Sequence, residues 1–383
     1  YLRAQKNARY GVEGMIASIS QLESFALCPF AHFVGYGLRP RELKEPRMDA
    51  RERGTLEHRA IEDFAGRLYA RQDEVGDEEA ERLMREVLEP LFEEESAHRR
   101  EGGLSRANHQ EIRRAMGRMS RLMALQKRLS RFRVSAEELA FTPADTAPLS
   151  LPSGERVYLE GKIDRVDVLN LHSDLYARVI DYKTGNTALG LDDVYFGLRL
   201  QLFLYLDAVL ALRGAKPAGV FYQKLSEAPM RLAGGGIDEK LAARQRKKLR
   251  LTGFILEDPD VIGQMCADPE IMDQVLPVEP RTKGGRALPG EFTERSRSRM
   301  LSEEAFGLLR RHTRRKLAEL AGDALAGKAA VSPALTQDLD ACKYCRFRSI
   351  CGFDESLPGC ERRNLQMDSE EVLQRMRKED ENA

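Results

Sequence analysis

Asp181 and Lys183 lie two residues apart in Val179-Ile180-Asp181-Tyr182-Lys183, a run whose residue types read as a strand. The period of a strand sends both side chains out of one face, and Ile180 and Tyr182 out of the other. Asp164, in the preceding strand-like run, is a second carboxylate that hairpin-like pairing brings beside Asp181. Two carboxylates and an amine converging at a sheet edge suit metal-assisted phosphodiester hydrolysis. The carboxylates hold a hard cation such as Mg2+ or Mn2+, which polarises the phosphate and acidifies a bound water, while the lysine positions or helps activate that water. An isolated D-x-K is more often a surface ion pair on an edge strand, so its surroundings decide.

A second group could hold metal of another kind. Cys28 stands alone near the start, and Cys342, Cys345 and Cys351 form a C-x2-C-x5-C cluster near the end. Three thiolates need a fourth soft ligand to close a zinc or iron–sulfur site, and spacing alone leaves both metals open. With Cys28 as that ligand, the metal ties the two ends together. By disulfide analogy a cross-link of this span removes denatured-state entropy worth on the order of 5 kcal/mol. Six cysteines in 383 residues are too sparse for a disulfide scaffold, and their clustering points to metal in a reducing cytoplasm. Cys266 reads as a packed or surface thiol, and Cys360 as a less favoured alternative ligand.

These residues need positioning elements. Ser20-x-x-Glu23 has a capping-box pattern opening a helix through Leu22, Phe25, Ala26 and Leu27, and Pro29 breaks that helix beside Cys28. A second helix from Gly54-Thr55 carries His58, Ile61, Phe64, Ala65 and Leu68 at helical spacing, and 78–98 and 106–131 read as long charged helices. Strands are expected at 136–141, 155–169 and 175–183, then a helix over 193–211 and a strand at Ala218–Lys224. The Gly- and Arg-rich stretch Arg281–Arg299 reads as an exposed loop, Ser302–Lys328 as a long amphipathic helix, and the tail beyond Cys360 as charged and loosely ordered.

Composition sets outer bounds. Hydrophobic residues make up 42% and charged residues 32%, a soluble globular balance, and no run approaches the length of a membrane span. Net charge is zero, which argues against a wholesale polycation. The charges are segregated, however: residues 73–95 are acidic, whereas Arg244–Arg250 and Arg281–Arg299 are basic. No phosphate loop of the G-x-x-x-x-G-K-[ST] type is present, so ATP hydrolysis by these residues is not expected.

Five motifs in order resemble the RecB-type nucleases of the PD-(D/E)XK superfamily. They are Gly54-Thr55-Leu56-Glu57-His58, Glu138-Leu139-Ala140-Phe141, Gly161-Lys162-Ile163-Asp164-Arg165-Val166-Asp167, Asp181-Tyr182-Lys183-Thr184-Gly185 and Gln201-Leu202-Phe203-Leu204-Tyr205. The resemblance implies an α/β fold, a mixed sheet flanked by helices. It further implies that His58, Asp164 and Asp181 bind metal with the Tyr182 carbonyl, and that Lys183 is the catalytic lysine. Gln201 and Tyr205 would position DNA or the lysine. Glu138 would join the catalytic set, although adjacent Glu137 would take its place after a one-residue slip; Asp167 reads as a structural partner of Arg165.

One cysteine before these motifs and three after them resembles the 4Fe–4S staple of AddB-type helicase–nuclease subunits, which favours iron–sulfur over zinc. That likeness runs through Ser18–Phe30 and Cys342–Asp354. It implies a nuclease domain over 15–360 with a helical insertion at about 72–131, a remnant of a preceding helicase-like region over 1–14 and a charged tail over 361–383. It also implies Mg2+- or Mn2+-dependent cutting of the 5′-ended DNA strand beside an AddA-type subunit, in resection of double-strand breaks. The alternatives are a non-catalytic DNA-guiding scaffold and a standalone Cas4-like exonuclease.

Overall fold

The computed structural model of the chain describes residues 5–7, 12–40, 50–98, 106–143, 147–185, 188–225 and 239–382. Strands β1 (Gln5–Asn7) and β2 (Val12–Ser18) lead into helix α1 (Ile19–Leu27). The cap of α1 is Ser18, whose hydroxyl accepts the Gln21 N–H at 3.2 Å. The capping box expected at Ser20 does not form, because Glu23 is committed to another helix, described below. Cys28 is extended (φ −161°, ψ 113°) between α1 and α2 (Pro29–His32), the junction expected from Pro29. Helix α3 (Ala50–Ala70) begins ahead of Gly54, and α4 (Asp77–His98) and α5 (Arg106–Leu129) supply the helical insertion.

The sheet then assembles from β3 (Arg133–Phe141), β4 (Leu149–Ser150), β5 (Arg156–Leu171) and β6 (Asp174–Lys183). Short helix α6 (Leu191–Tyr195) and crossover helix α7 (Gln201–Arg213) lead to β7 (Lys216–Lys224). Helix α8 (Glu239–Leu249), strand β8 (Leu251–Leu256) and helix α9 (Pro259–Met265) follow. Next come β9 (Pro280–Lys283), β10 (Arg286–Phe292), α10 (Glu294–Arg297), β11 (Met300–Leu301) and the long α11 (Glu303–Leu325). The last elements are β12 (Ala334–Leu335), α12 (Arg348–Cys351), β13 (Arg363–Asn364) and α13 (Ser369–Glu381).

The central sheet runs β1-β2-β5-β6-β7-β8-β11, with β3 and β4 also paired to β5. Pairing is mixed: β5–β6 is antiparallel, β6–β7 parallel across α7, and β7–β8 antiparallel. This is the α/β class expected from the motifs. Strands β6 and β7 are buried along almost their whole length, the pattern of central strands covered on both faces. Beneath the site, Asp167 is fully buried, and both its oxygens accept from Arg165 at 2.7 Å while Arg178 adds a bond at 2.8 Å. Asp167 is thus the structural partner expected of it, and such a buried charge is tolerable only because every side is answered.

Several expectations fail, each for a tertiary reason. The single helix over 193–211 is split between α6 and α7, because Gly197 adopts a left-handed φ of 83° where the chain passes Leu320 and Lys316 of α11. The loop over Arg281–Arg299 is instead the β9–β10 hairpin followed by α10; Gly284 and Gly285 both take positive φ (60° and 79°), as its two-residue turn demands. The tail is not loose: Asp368 caps α13, Val372 and Met376 are fully buried, and Asp380 pairs with Arg311 and Arg315 of α11. Within 1–14, Val12–Gly14 are part of β2, which pairs with β5; residues 1–4 and 8–11 lie outside the described residues. Among the described residues no helix is long and apolar enough to cross a membrane.

Candidate active site

The antiparallel ladder between β5 and β6 runs from Leu171↔Asp174 to Arg165↔Ile180 and stops there. The next pair would be Asp164 opposite Asp181. Instead, the Tyr182 backbone N–H donates to the Asp164 side chain, Oδ2, at 2.7 Å. Both aspartates are buried. Burial pushes the Asp181 carboxyl up to about 6, with the Asp164 charge adding to the rise and Lys183 opposing it.

Helix α3 supplies the second wall. A Cβ on Gly54 would lie 3.0 Å from Thr184 Oγ1, so the glycine lets the helix pass close to the end of β6. One turn on, His58 places Nε2 3.1 Å from Asp164 Oδ2 and Nδ1 2.8 Å from Glu62 Oε1. Burial disfavours the imidazolium, but the bonds and charges of Asp164 and Glu62 outweigh it and hold His58 up at about 10. Ligand atoms of His58, Glu62 and Asp164 lie within 4.8 Å of one another, close enough to share one cation. Glu62 was absent from the expected set, although its i,i+4 offset from His58 places the two on one helix face.

Helix α7 orients the lysine. Lys183 Nζ sits 2.6 Å from Asp181 Oδ2 and donates to Gln201 Oε1 at 3.2 Å. The approach to Asp181 is too poorly aligned for a hydrogen bond, so Oδ2 accepts none among the described residues. The Gln201 amide donates to Asp181 Oδ1 at 2.9 Å and to the Tyr205 hydroxyl at 3.0 Å. Tyr205 packs edge-on against Phe141 above Gly161, where a Cβ would fall 2.6 Å from Phe141 and 3.1 Å from Tyr205. The glycine therefore lets residues of three separate motifs meet.

Glu23 of α1 reaches across to this helix. Its Oε1 accepts the backbone N–H groups of Leu200, at 2.6 Å, and Gln201, at 3.0 Å, capping α7 from a distant segment. Burial pushes the Glu23 carboxyl up to about 7 against the pull of these two bonds.

Glu138 stands further out. It is exposed, with a left-handed φ of 51°, and its carboxylate accepts from Lys162, whose Nζ lies 3.5 Å from Glu62 Oε1. Glu138 thus meets the metal-competent group through Lys162. Glu137 pairs its backbone with Arg165; its side chain lies outside the described residues.

The cysteines converge elsewhere. Cys28, Cys342, Cys345 and Cys351 line one small pocket with Phe30, Pro333 and Phe353. Cys360 does not line it, and Cys266 is buried with Sγ bonded to the Asp268 carbonyl at 3.2 Å. Around the pocket Arg363 donates to the Ala26 and Leu27 carbonyls at 2.5 and 3.3 Å, and Phe30 N–H donates to the Ala330 carbonyl at 3.1 Å. Protein contacts alone therefore dock the end of α1 onto the carboxy-terminal segment.

Glu23 makes a testable contribution. Its carboxyl titrates higher in the folded chain than at its ordinary 4.5, so the folded state holds the extra proton. Its contribution to stability is full below about 4.5 and lost as pH rises through about 7. Glu23→Gln keeps the acceptor and removes the ionisation. In chemical denaturation it should raise stability by about 1–3 kcal/mol at pH 8 relative to its effect at pH 4.5. An equal effect at both pH values would contradict the buried cap.

Comparison with known proteins identifies the family. A family model described as the PD-(D/E)XK nuclease superfamily matches residues 16–352. The chain is 33% identical, over its whole length, to 34% of a protein of Alkaliphilus oremlandii described as the B subunit of an ATP-dependent helicase/deoxyribonuclease. Proteins of the same description from Alkaliphilus metalliredigens and Geobacillus kaustophilus are 33% and 32% identical over 95% and 97% of the chain, which covers 32% and 33% of them. The chain spans about a third of the length of these curated relatives. On sequence and fold alike, it belongs to the PD-(D/E)XK nuclease superfamily.

Proposed function

We propose that the chain is the nuclease part of a helicase–nuclease subunit and hydrolyses DNA phosphodiesters with Mg2+ or Mn2+. The observation that carries this reading is the convergence of His58, Asp164, Asp181, Lys183 and Gln201 at the open end of the β5–β6 ladder. His58, Asp164 and Asp181, with Glu62 and the Tyr182 carbonyl beside them, are the donors that would hold the cation. When bound, it supplies charge to the phosphate and acidifies a water.

Lys183 has the rest of the work. Its Nζ, fixed between Asp181 and Gln201, can donate to a phosphate oxygen or to the attacking water. Gln201 and Tyr205 hold that amine at one angle. The relatives' description as the B subunit of a helicase/deoxyribonuclease supports an AddA-type partner and a single strand released from a duplex end. By the AddB-type resemblance it is the 5′-ended strand, cut during resection of double-strand breaks for recombination.

The cysteine pocket would hold a 4Fe–4S cluster, the occupant that the AddB-type resemblance favours over zinc. The four thiolates could close either site, and the arrangement of one cysteine before the nuclease motifs and three after them favours the cluster. Visible absorption with iron and sulfide analysis tests this: cluster absorption lost in Cys345→Ala supports it, and stoichiometric zinc contradicts it.

Single-turnover cleavage of end-labelled single-stranded DNA tests the active site. Asp181→Ala and Lys183→Ala should each lose about 100-fold or more in rate, and Gln201→Ala roughly 10–100-fold through misplacement of the lysine. Equal cleavage by wild type and Asp181→Ala would refute the assignment, and cleavage by neither would leave a DNA-guiding scaffold.

A further inference from the structure

A cleft of about 420 Å³ opens beside the active site and is lined by Lys247, Arg250, Thr252, Glu279, Arg295 and Arg299 among others. Lys247 of α8, Arg250 between α8 and β8, and Arg295 and Arg299 of the α10–β11 segment thus line it with one carboxylate, Glu279, while Lys247 also pairs with Asp273. Arg299 donates to the Leu189 carbonyl at 2.7 Å, and Arg250 to the Asp273 carbonyl at 2.6 Å, so both heads are fixed by backbone acceptors. Burial pushes both guanidiniums below their ordinary range; the Asp273 charge opposes this at Arg250 and the Asp338 charge at Arg299, while Arg295 adds to it at both. Cations gathered in one cleft repel one another, and an anion bound among them relieves that repulsion.

Position says which anion. Thr252 pairs with Tyr222, and Tyr222 with Asp181, so the three stand side by side across β8, β7 and β6. Cross-strand partners share a face of the sheet. Lys183 Nζ lies 5.5 Å from the centre of the Tyr222 ring, which puts the lysine on that same face. The cleft therefore begins two strand spacings, roughly 10 Å, from the carboxylates. Guanidinium forks match phosphate oxygens in pairs, and an extended polyanion crossing the sheet would reach both places.

We propose that this cleft binds backbone phosphates of the nucleic-acid strand next to the bond being cut, fixing the strand across β6, β7 and β8. The inference rests on the hydrolytic reading of the neighbouring site. It adds Arg295 and Arg299 as residues that hold the strand without touching the reacting phosphate.

The test uses the 383-residue chain and a fluorescein-labelled oligothymidylate in EDTA, with anisotropy followed over a range of KCl concentrations. Arg295 is exposed, so Arg295→Ala should fold normally; Arg295→Ala/Arg299→Ala is the stronger variant, and Arg375→Ala on α13 is the control. Each cleft substitution should weaken binding several-fold and lower the steepness of the salt dependence by about 0.7 for each phosphate no longer neutralised. Arg375→Ala should change neither. In Mg2+ the single variant should raise KM with little change in kcat.

Unchanged affinity and salt dependence in Arg295→Ala and in the double variant would overturn the proposal. Loss of polyglutamate binding with DNA binding intact would also overturn it, and would assign the cleft to an acidic protein segment. If wild type cleaves DNA but the cleft variants bind it normally, the cleft fails alone. Cleft-dependent binding without cleavage would uphold the cleft and sink the hydrolytic reading, and a wild type that binds no DNA would overturn both.

Discussion

The whole site depends on one hydrogen bond, from the Tyr182 backbone N–H to the Asp164 carboxylate at 2.7 Å. It takes the place of the next rung of the β5–β6 ladder, which ends at Arg165↔Ile180. A side-chain acceptor at this point fixes Asp164 beside Asp181 in a buried setting where two like charges repel. The crowding is tolerated because cations surround it. His58 bonds to Asp164 on one side, and Lys183 pairs with Asp181 on the other. A divalent cation at these donors requires a neutral imidazole, so its binding is coupled to loss of the His58 proton.

The second dependence is mechanical. Cys28 ends α1, and Glu23, little more than a turn earlier, caps α7 through the N–H groups of Leu200 and Gln201. Gln201 in turn holds both Asp181 and Lys183. Arg363 fastens the carbonyl end of α1 to β13 and so to the cysteine-bearing segment. A series of short contacts thus runs from the cysteine pocket to Lys183. The proposed clasp at the cysteines would thus act by fixing the angle of α7 rather than by supplying chemistry.

What the sequence could reveal was local. Asp181 and Lys183 on one strand face, Gln201 and Tyr205 one helical turn apart, and Cys28 at a proline break follow from spacing alone. His58 as a ligand, and iron–sulfur rather than zinc at the cysteines, needed the order of family motifs as well. Glu62 was readable from its offset to His58 but carried no signal separating it from other charged residues of α3. Glu23 was misread because a capping box explains Ser20 and Glu23 locally, whereas the protein gives the cap to Ser18 and the glutamate to α7. The hairpin at Gly284-Gly285, the break at Gly197 and the docking of Val372 and Met376 were each decided by distant partners or by a turn hidden among arginines. Charge density disguised order in the Arg281–Arg299 stretch and in the tail, but not in the acidic stretch, whose helix was expected.

The central claim is that the end of the β5–β6 ladder is a cation site built from both strands and α3. Titration of Mn2+ followed by the electron paramagnetic resonance of the free ion measures this directly, without DNA or turnover. Wild type should sequester Mn2+, with affinity falling by at least about 10–100-fold in His58→Ala, Asp164→Asn and Asp181→Asn. Mn2+ bound equally by wild type and all three variants would contradict the account.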